Sequence, residues 1–308
     1  MKYKILAFYL FIPIEDPVRE MERQLEFLKA RDVTSRIYLS EEGMNGQMCA
    51  RADHAEEYIG WMREDERFNK IDFKVQPYHE HVFPRLTIKV RKQLVALDTK
   101  VDISLTGTHV SPQKWKEMMD LRDDDTFLLD VRNDYEWEIG HFEGAELPTL
   151  ETFRGFREYA EKLAQEKDNE KTKVMMYCTG GIRCEIYSAL LKEKGFKQVY
   201  QLEGGVVKYG EEVGGDHWLG KLFVFDDRLA VPLEEGGEPI SVCCHCKDAS
   251  DVYYNCANMD CNELFLSCPP CAEKMKGCCC ISCQSAPRLR PFSGVPKPFR
   301  RAHLLDKV

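Results

Sequence analysis

Apolar residues in the first 95 positions recur with a period of two in some segments and with a helical period in others, which predicts alternating strands and helices. The predicted elements, in the order strand, helix, strand, strand, helix, strand and strand, are Tyr3–Pro13, Val18–Arg31, Ser35–Leu39, Gln47–Ala50, Asp53–Arg63, Asp72–Gln76 and Leu86–Val90. The sequence Glu42–Gly46 is predicted to form the turn before the third strand. This order predicts a ferredoxin-like α+β domain over residues 1–95, with both helices on one face of the sheet.

A second alternation of strands and helices is predicted over residues 123–220, after a connector over residues 96–122. One helix is predicted in the connector, because Ser111 suits an N-cap and Pro112 suits the first helical turn. The predicted strands and helices of the second region are Phe127–Val131, Phe153–Glu166, Lys173–Tyr177, Glu185–Lys194 and Val199–Leu202. Such an order predicts an α/β domain whose parallel sheet carries helices on both faces.

Composition indicates a soluble globular protein of two or three domains, with 308 residues of which 44% are hydrophobic and 31% charged. The net charge of -9 argues against a uniformly basic surface for nucleic acid, although local basic patches remain compatible with it. The apolar run Ile5–Ile14 is followed at once by Glu15 and Asp16, which favours a buried strand over a signal peptide. We therefore expect a cytoplasmic protein with neither a membrane nor DNA as a partner, and the oligomeric state stays open.

Residues 221–308 form a third region, in which eleven of the 14 cysteines lie between Cys243 and Cys283. In a reduced cytosolic chain, such a cluster favours metal binding over disulfides. The predicted ligands form four closely spaced pairs: Cys243 and Cys246, Cys256 and Cys261, Cys268 and Cys271, and Cys279 and Cys283. Eight thiolates suffice for two closed, structural zinc sites, which would supply folding energy to a segment with little apolar core.

Three questions about these cysteines stay open from sequence. The run Cys278–Cys280 does not identify its own ligand, and spacing does not say which pairs share an ion. An iron–sulfur cluster and incidental reduced thiols are the alternatives to zinc.

Cys178 lies between a predicted apolar strand and a predicted helix, at the carboxyl edge of the parallel sheet. Backbone N–H groups at a helix N-terminus stabilise a thiolate, which is the nucleophilic form of cysteine. Two glycines let the loop curl into an anion nest, and Arg183 adds a fixed positive charge. The predicted catalytic residues are therefore Cys178 and Arg183, and the predicted cradle residues are Thr179, Gly180, Gly181 and Ile182. Cys184 is either a resolving thiol for an oxidised or persulfidated Cys178, or a residue facing the core.

Four motifs in this region resemble those of rhodanese domains. They are Leu129–Arg132, Gly140–Ala145, the loop Cys178–Arg183 and Leu202–Val206. The resemblance implies a central rhodanese-like α/β domain, and it gives Asp130, Arg132 and His141 roles in supporting the loop rather than in catalysis.

Three longer segments resemble a narrower family: bacterial rhodanese-domain proteins that hydroxylate the wobble uridine of tRNA at carbon 5. These segments are Glu41–Gly46, Cys178–Glu185 and Tyr254–Asn258 with Cys261 and Asn262 beyond it. The resemblance spans essentially the whole chain and implies an oxygen-dependent enzyme that forms 5-hydroxyuridine in tRNA, with Cys178 as the matching catalytic cysteine. The chain departs from the family at Ile186, where a lysine is usual, and in its third consecutive cysteine at 278–280. No glycine fingerprint for flavin or NAD is present.

Two basic islands are the predicted RNA contacts on this acidic chain, because local cations suit phosphate groups. The first comprises Arg85, Lys89, Arg91 and Lys92. The second lies in the tail after Gln284 and comprises Arg288, Arg290, Lys297, Arg300, Arg301 and Lys307. A solvated strand face and a disordered tail are the simpler interpretations. Two other functions stay open from residues alone: a thiosulfate or persulfide sulfurtransferase, and a zinc-stabilised RNA-binding module without activity.

Overall fold

The computed structural model describes residues 1–294, so Lys297, Arg300, Arg301 and Lys307 of the predicted basic tail lie outside the described residues. The chain divides into two compact units. The first comprises residues 1–133 and 146–213, and the second comprises residues 134–145 and the described residues from 214 onward. Within residues 1–294, every helix is too short or too polar to cross a membrane.

The amino-terminal part of the first unit is a five-stranded sheet with two helices. Its elements are β1 (Tyr3–Phe11), α1 (Pro17–Leu28), β2 (Val33–Ser40), β3 (Gly43–Arg51), α2 (Ala52–Glu64), β4 (Lys74–Tyr78) and β5 (Ile88–Val90). The strand order is β4-β1-β3-β2-β5, in which the first four strands are antiparallel and β5 runs parallel to β2. Leu28 of α1 and Tyr58 of α2 share one core with Phe8 of β1, so both helices cover the same face. The predicted ferredoxin-like arrangement is confirmed.

The turn predicted at Glu42–Gly46 is wrong in its extent. Glu41 and Glu42 alone form the turn, and β3 begins at Gly43, which pairs with Ser40. Gly46 lies within the strand opposite Phe8, where a Cβ atom would come within 2.3 Å of the phenyl ring. The glycine at this position therefore makes room for an aromatic ring, and its presence is not a turn signal.

The region from residue 96 to 213 contains the following strands and helices. They are β6 (Thr108–Val110), α3 (Pro112–Asp120), β7 (Thr126–Asp130), α4 (Asp134–Trp137), β8 (Gly140–Phe142), α5 (Phe156–Glu166), β9 (Lys173–Tyr177), α6 (Ile182–Glu193), β10 (Gln198–Leu202) and α7 (Gly205–Glu212). Short 3-10 helices lie at Ile103–Leu105 and Phe153–Gly155. The connector holds the predicted helix α3, whose N-cap Ser111 accepts a hydrogen bond from Lys114 N–H, and the strand β6, which the sequence pattern did not predict.

Four of these strands form a wholly parallel sheet in the order β6-β10-β9-β7. Val174 and Met176 of β9 pack into a core shared with α5 and α6. Successive strand residues point to opposite faces, so Tyr177 lies on the other face, where its ring meets Trp115 of α3 edge-on at 6.5 Å. The predicted parallel sheet with helices on both faces is confirmed.

The second unit is built from short strands and helices around small apolar clusters. Its remaining elements are β11 (Trp218–Gly220), β12 (Leu222–Phe223), β13 (Ala230–Val231), β14 (Tyr253–Asn255), β15 (Leu264–Leu266), α8 (Pro269–Lys274) and α9 (Ile281–Gln284). Antiparallel pairing of β8 with β11 explains why residues 134–145 belong to this unit. Strands of two or three residues contribute little sheet stability, so the unit needs another source of folding energy.

Candidate active site

The loop after β9 places Cys178 directly beside the N-terminus of α6. The Cys178 side chain is fully buried, and its Sγ accepts a hydrogen bond of 3.1 Å from the N–H of Gly181. Gly181 adopts a φ of +103°, a conformation that strongly favours glycine, and this lets its N–H point back at the sulfur. The Arg183 side chain turns back along the helix and donates to Thr179 Oγ1 at 3.3 Å. Among the predicted loop residues, Gly181 thus contacts the sulfur directly, and Arg183 is held against Thr179.

Cys178 is held as a thiolate at neutral pH. Burial by itself would raise the pKa of this thiol, but three kinds of neighbouring group outweigh the effect of burial. They are the thiol of Cys184, the positive charge of Arg183, and the backbone N–H groups of Cys184 and Gly181. Together they lower the pKa of Cys178 from 9.0 to about 5.

Cys184 lies in the first turn of α6 and is fully buried. Burial, followed by the neighbouring Cys178, raises the pKa of the Cys184 thiol well above its ordinary value. Cys184 therefore stays protonated and donates its hydrogen to the Cys178 sulfur. Its position is compatible with both roles predicted for it, since it faces the core and also lies beside the reactive sulfur.

The N-terminus of α7 fixes the backbone of the cysteine loop. Val206 N–H donates to Cys178 O at 3.0 Å, and Val207 N–H donates to Thr179 O at 3.1 Å. Gly205 precedes them with a φ of +69°, and a Cβ atom there would lie 2.6 Å from both carbonyl oxygens. Only glycine allows the helix to approach the loop so closely.

Two side chains of the ferredoxin-like domain reach the same loop. Lys74 of β4 is buried, and its Nζ donates to Gly180 O at 2.9 Å. Burial lowers the pKa of Lys74, while the negative charges nearby, Cys178 among them, act in the opposite direction. The Nζ also lies 5.3 Å from the ring centre of Tyr9, whose hydroxyl donates to Glu185 at 2.9 Å.

Glu185, the residue after Cys184, is the centre of a hydrogen-bond network. Its carboxylate accepts from Tyr9, Thr106 and His109 at 2.8–2.9 Å, and from Gln201 at 3.2 Å. Burial would raise the pKa of this carboxyl group, but these hydrogen bonds, led by that from His109, lower it. The network anchors the first turn of α6 to β1 and to the parallel sheet.

Two of the residues that the rhodanese resemblance assigned to loop support lie at the end of β7. Asp130 and Arg132 form a fully buried ion pair of 2.6 Å. The guanidinium group of Arg132 lies 5.6 Å from the ring centre of Tyr177, the residue before Cys178. His141 belongs to the second compact unit, where its Nδ1 bonds to Trp137 O at 2.8 Å.

The eight predicted metal ligands come together in two groups of four in the second unit. Cys243 and Cys246 join Cys268 and Cys271, and Cys256 and Cys261 join Cys279 and Cys283. The sulfur atoms in each group lie within 4.8 Å of one another. The first knuckle thus pairs with the third and the second with the fourth, and Cys279 is the member of the triple that joins a group.

The spacing of these sulfur atoms fits a tetrahedral metal site. Cys246 and Cys268 are 3.6 Å apart, Cys261 and Cys279 are 3.8 Å apart, and Cys279 and Cys283 are 3.9 Å apart. Four sulfurs at roughly 2.3 Å from one zinc ion lie about 3.8 Å from each other. All 14 cysteines are thiols rather than disulfides. Both groups can therefore hold a metal ion, and their donor set is consistent with zinc.

Comparisons with known proteins cover nearly all of the chain. Family models match residues 3–94 (UPF0176 acylphosphatase like domain), 111–212 (Rhodanese-like domain) and 219–284 (Rhodanase C-terminal). A tRNA uridine(34) hydroxylase of Protochlamydia amoebophila is 55% identical over 302 residues, which is 97% of this chain and 94% of that protein. One from Chlamydia pneumoniae is 54% identical over 99% of this chain and 95% of that protein. The chain belongs to the tRNA uridine(34) hydroxylase family.

Among solved structures, the rhodanese-like domain of an Anabaena protein is 19% identical, with a TM-score of 0.31 over 37% of this chain and 80% of that domain.

In this member of the tRNA uridine(34) hydroxylase family, the first basic island lies on and beside β5. Arg85, Lys89, Arg91 and Lys92 are all exposed. In the second island, Arg288 pairs with Asp260 at 2.6 Å and Arg290 bonds to Asn262. These two arginines therefore help to hold the cysteine-rich region together.

Sequence reasoning missed the site residues of this family member that come from distant elements. Lys74 and Tyr9 carry no motif, and only the fold brings them to the cysteine loop. Gly205 was part of a recognised motif, and two consecutive glycines before an apolar run are a signal for close backbone approach.

Proposed function

We propose that this chain hydroxylates uridine 34 of tRNA at carbon 5, with Cys178 as the catalytic residue and molecular oxygen as co-substrate. The observation that carries the proposal is the buried thiolate of Cys178, held in a cradle of N–H groups within a chain of this family. A sulfur with a pKa of about 5 is nucleophilic at neutral pH without a separate base.

The proposed reaction uses the thiolate as a covalent catalyst. Addition of Cys178 Sγ to carbon 6 of the uracil breaks the 5,6 double bond and leaves an electron pair on carbon 5. That pair forms the bond to one oxygen atom of O2. The second oxygen atom leaves as water after taking two electrons and two protons from an external reductant such as a cellular thiol. Loss of the proton on carbon 5 and departure of the thiolate restore the double bond.

The uracil base of the substrate must reach a sulfur that is buried in the free protein. Within residues 1–294, apart from Gly180 and its two chain neighbours, no atom lies within 4 Å of the position that a Cβ would take on Gly180, so the loop has open space on that side. We expect Thr179 and Gly180 to shift when RNA binds. A competing hypothesis is a Cys178 that is first oxidised or persulfidated. Mass spectrometry of trapped enzyme separates a uridine adduct from a modified cysteine, and finding neither species would reject both.

We also propose that each group of four cysteines holds a structural zinc ion. Four thiolates leave no open position on a tetrahedral ion, so the ion would fold the chain rather than bind substrate. The described part of the second unit has small apolar clusters and would gain folding energy from the metal.

The tRNA contacts that we propose are Arg85, Lys89, Arg91 and Lys92, since exposed cations position a phosphate backbone.

We place the enzyme in the cytoplasm, where its tRNA substrate is found. The domain boundaries at residues 95, 122 and 220 stay predictions.

An isotope experiment tests the reaction most sharply. Purified, metal-loaded full chain is incubated with unmodified tRNA and a thiol reductant under 18O2, and the nucleosides are analysed by mass spectrometry. We expect 5-hydroxyuridine at position 34 that carries one 18O atom. Label from H218O instead would reject oxygen as co-substrate. Transfer of thiosulfate sulfur to cyanide, without a tRNA product, would favour the sulfurtransferase alternative.

A further inference from the structure

A groove of about 730 Å3 opens on the first unit, outside the cysteine loop. Its walls come from β2, from the segment after β5 and from the 3-10 helix before α5. The charged and aromatic side chains that line it are Tyr38, Arg91, Lys92, Asp98, Lys100 and Arg154. The volume lies within the range of roughly 300–1,000 Å3 that is typical of ligand sites.

The groove is strongly basic on a chain whose net charge is -9. Four cationic side chains line it against one carboxylate, that of Asp98, which pairs with Arg154 at 2.5 Å. Among the described residues, neither Lys92 nor Lys100 forms an ion pair. Cations concentrated in one groove attract a polyanion and repel basic partners.

The guanidinium group of Arg91 gives the groove a flat cationic surface. The guanidinium group of Arg91 lies 5.0 Å from the ring centre of Tyr38, so the tyrosine supports the arginine from one side. The bases of unpaired RNA stack on aromatic rings and on guanidinium planes of this kind. Arg91 is itself exposed, so its guanidinium group is accessible to a base.

The groove is built before any ligand binds. Arg91 N–H donates to Leu39 O at 2.8 Å, which fixes the segment to β2. The Gln93 side chain crosses the segment, donating to Thr99 O at 3.3 Å and accepting from Asp98 N–H at 3.2 Å. Val95 is buried in the same core as Cys178, so packing in that core anchors the segment.

We propose that this groove binds the single-stranded RNA beside the target uridine. One base stacks on Arg91 over Tyr38, and Lys92 and Lys100 contact the adjoining phosphates. The inference rests on the proposed function for the identity of the RNA, which is the anticodon loop of tRNA. It adds Tyr38, Lys100 and Arg154 to the RNA contacts predicted from sequence.

Binding of an anticodon stem-loop RNA to the full chain, measured over a range of salt concentrations, tests the groove. We expect Arg91→Gln and Tyr38→Ala each to raise Kd about tenfold, because the first removes the stacking surface and the second removes the ring that supports it. Arg91→Gln and Lys92→Gln should also make the salt dependence of binding shallower, as expected when a phosphate contact is lost. Asp98→Asn should tighten binding, since it removes the carboxylate and asparagine tolerates the φ of +55° at this position.

Lys197→Gln is the matched control. Lys197 is 61% exposed and lies just before β10, at the edge of the parallel sheet opposite the one that bears Cys178. This variant should bind RNA like the wild type. If Arg91→Gln binds no more weakly than Lys197→Gln, the groove proposal is wrong.

Rates of hydroxylation separate the groove proposal from the proposed function. Groove variants should raise KM and leave kcat at saturating tRNA within about twofold of the wild type, as expected when uniform binding is lost. A wild-type protein that forms no 5-hydroxyuridine, but whose RNA affinity depends on Arg91, would overturn the function and leave the groove as an RNA site. If inorganic phosphate competes with the RNA, and all groove variants lose the same affinity for RNA, the groove is a simple anion site and the proposal is overturned.

Discussion

At the scale of single residues, the fully buried sulfur of Cys178 is held as a thiolate. Burial opposes the charged form, yet the pKa of Cys178 is lowered to about 5 because donors surround the sulfur. Cys184 supplies one of these donors from the neighbouring turn of α6. The second cysteine is therefore expected to tune the first, whether or not it also acts as a resolving thiol.

The pH dependence of Cys178 alkylation tests this directly. The pKa in the folded chain lies below the ordinary value, so the thiolate persists as the pH falls until it protonates near pH 5. Cys184→Ala removes a donor and should move the inflection upward, towards 9. Cys184→Ser retains an O–H donor and should leave it near that of the wild type.

Peptide mass spectrometry after tryptic digestion measures alkylation of Cys178 separately from that of Cys184, because cleavage after Lys173 and Arg183 puts the two cysteines on different peptides. A wild-type inflection near pH 9 would show that the cradle does not stabilise the thiolate.

At the scale of elements, the cysteine loop is held by three parts of the chain at once. The N-terminus of α7 binds its carbonyl oxygens, β4 brings Lys74 to Gly180, and β1 brings Tyr9 to the network around Glu185. Two of these three parts belong to the ferredoxin-like domain. We infer that this domain helps to position the reactive loop in addition to any role in binding RNA.

Replacing Lys74 tests the contribution of β4. Lys74→Met removes a charged donor that is worth about 1.5–3 kcal/mol in typical buried settings. We expect the rate of hydroxylation at saturating tRNA to fall at least tenfold, with the affinity for tRNA little changed. Lys70→Met, at an exposed position just before the strand, should have no effect. Equal rates for the two variants would mean that the contact with Gly180 is dispensable.

Periodicity along the chain predicted elements better than it predicted their contacts. The ferredoxin-like order and the parallel sheet followed from it because apolar spacing reflects which side faces a core. The extent of the turn before β3 did not follow from periodicity. Glycine is required at position 46 because it packs against Phe8 of the neighbouring strand, and this contact is not visible in the local sequence. Lys74 was missed for the same reason, since its partner lies 106 positions further along the chain.

The cysteine cluster illustrates a similar limit at the scale of elements. Spacing predicted eight ligands, because two thiolates on one tight knuckle can share an ion. The way in which the knuckles pair depends on the fold of the second unit, where the first and third knuckles meet.

The triple cysteine offers a stringent test of the metal sites. Wild-type protein should contain two zinc ions per chain, one for each group of four cysteines. Cys279→Ser should retain one, while Cys280→Ser, at the next position, should retain both. Elemental analysis of the purified chain measures this. Iron in place of zinc, or equal metal loss in both variants, would contradict the assignment.

At the scale of the whole molecule, the chain combines a cysteine loop, a basic surface and a unit with two cysteine groups that can hold metal in one acidic protein. Family models cover all three parts, and relatives named tRNA uridine(34) hydroxylase match nearly their full length. The net negative charge of the chain restricts RNA binding to local basic features, such as the groove beside β5. Catalysis and RNA binding are therefore expected to be separable by mutation.

The most direct measurement is nucleoside mass spectrometry of tRNA from bacterial cells that lack hydroxylated wobble uridine. The cells are supplied with the wild-type protein, with Cys178→Ala, or with Cys244→Ala, a control at an exposed cysteine outside both metal groups. We predict 5-hydroxyuridine at position 34 with the wild type and the control, and none with Cys178→Ala. Equal product from Cys178→Ala, or no product from soluble, metal-loaded wild-type protein, would contradict the central claim.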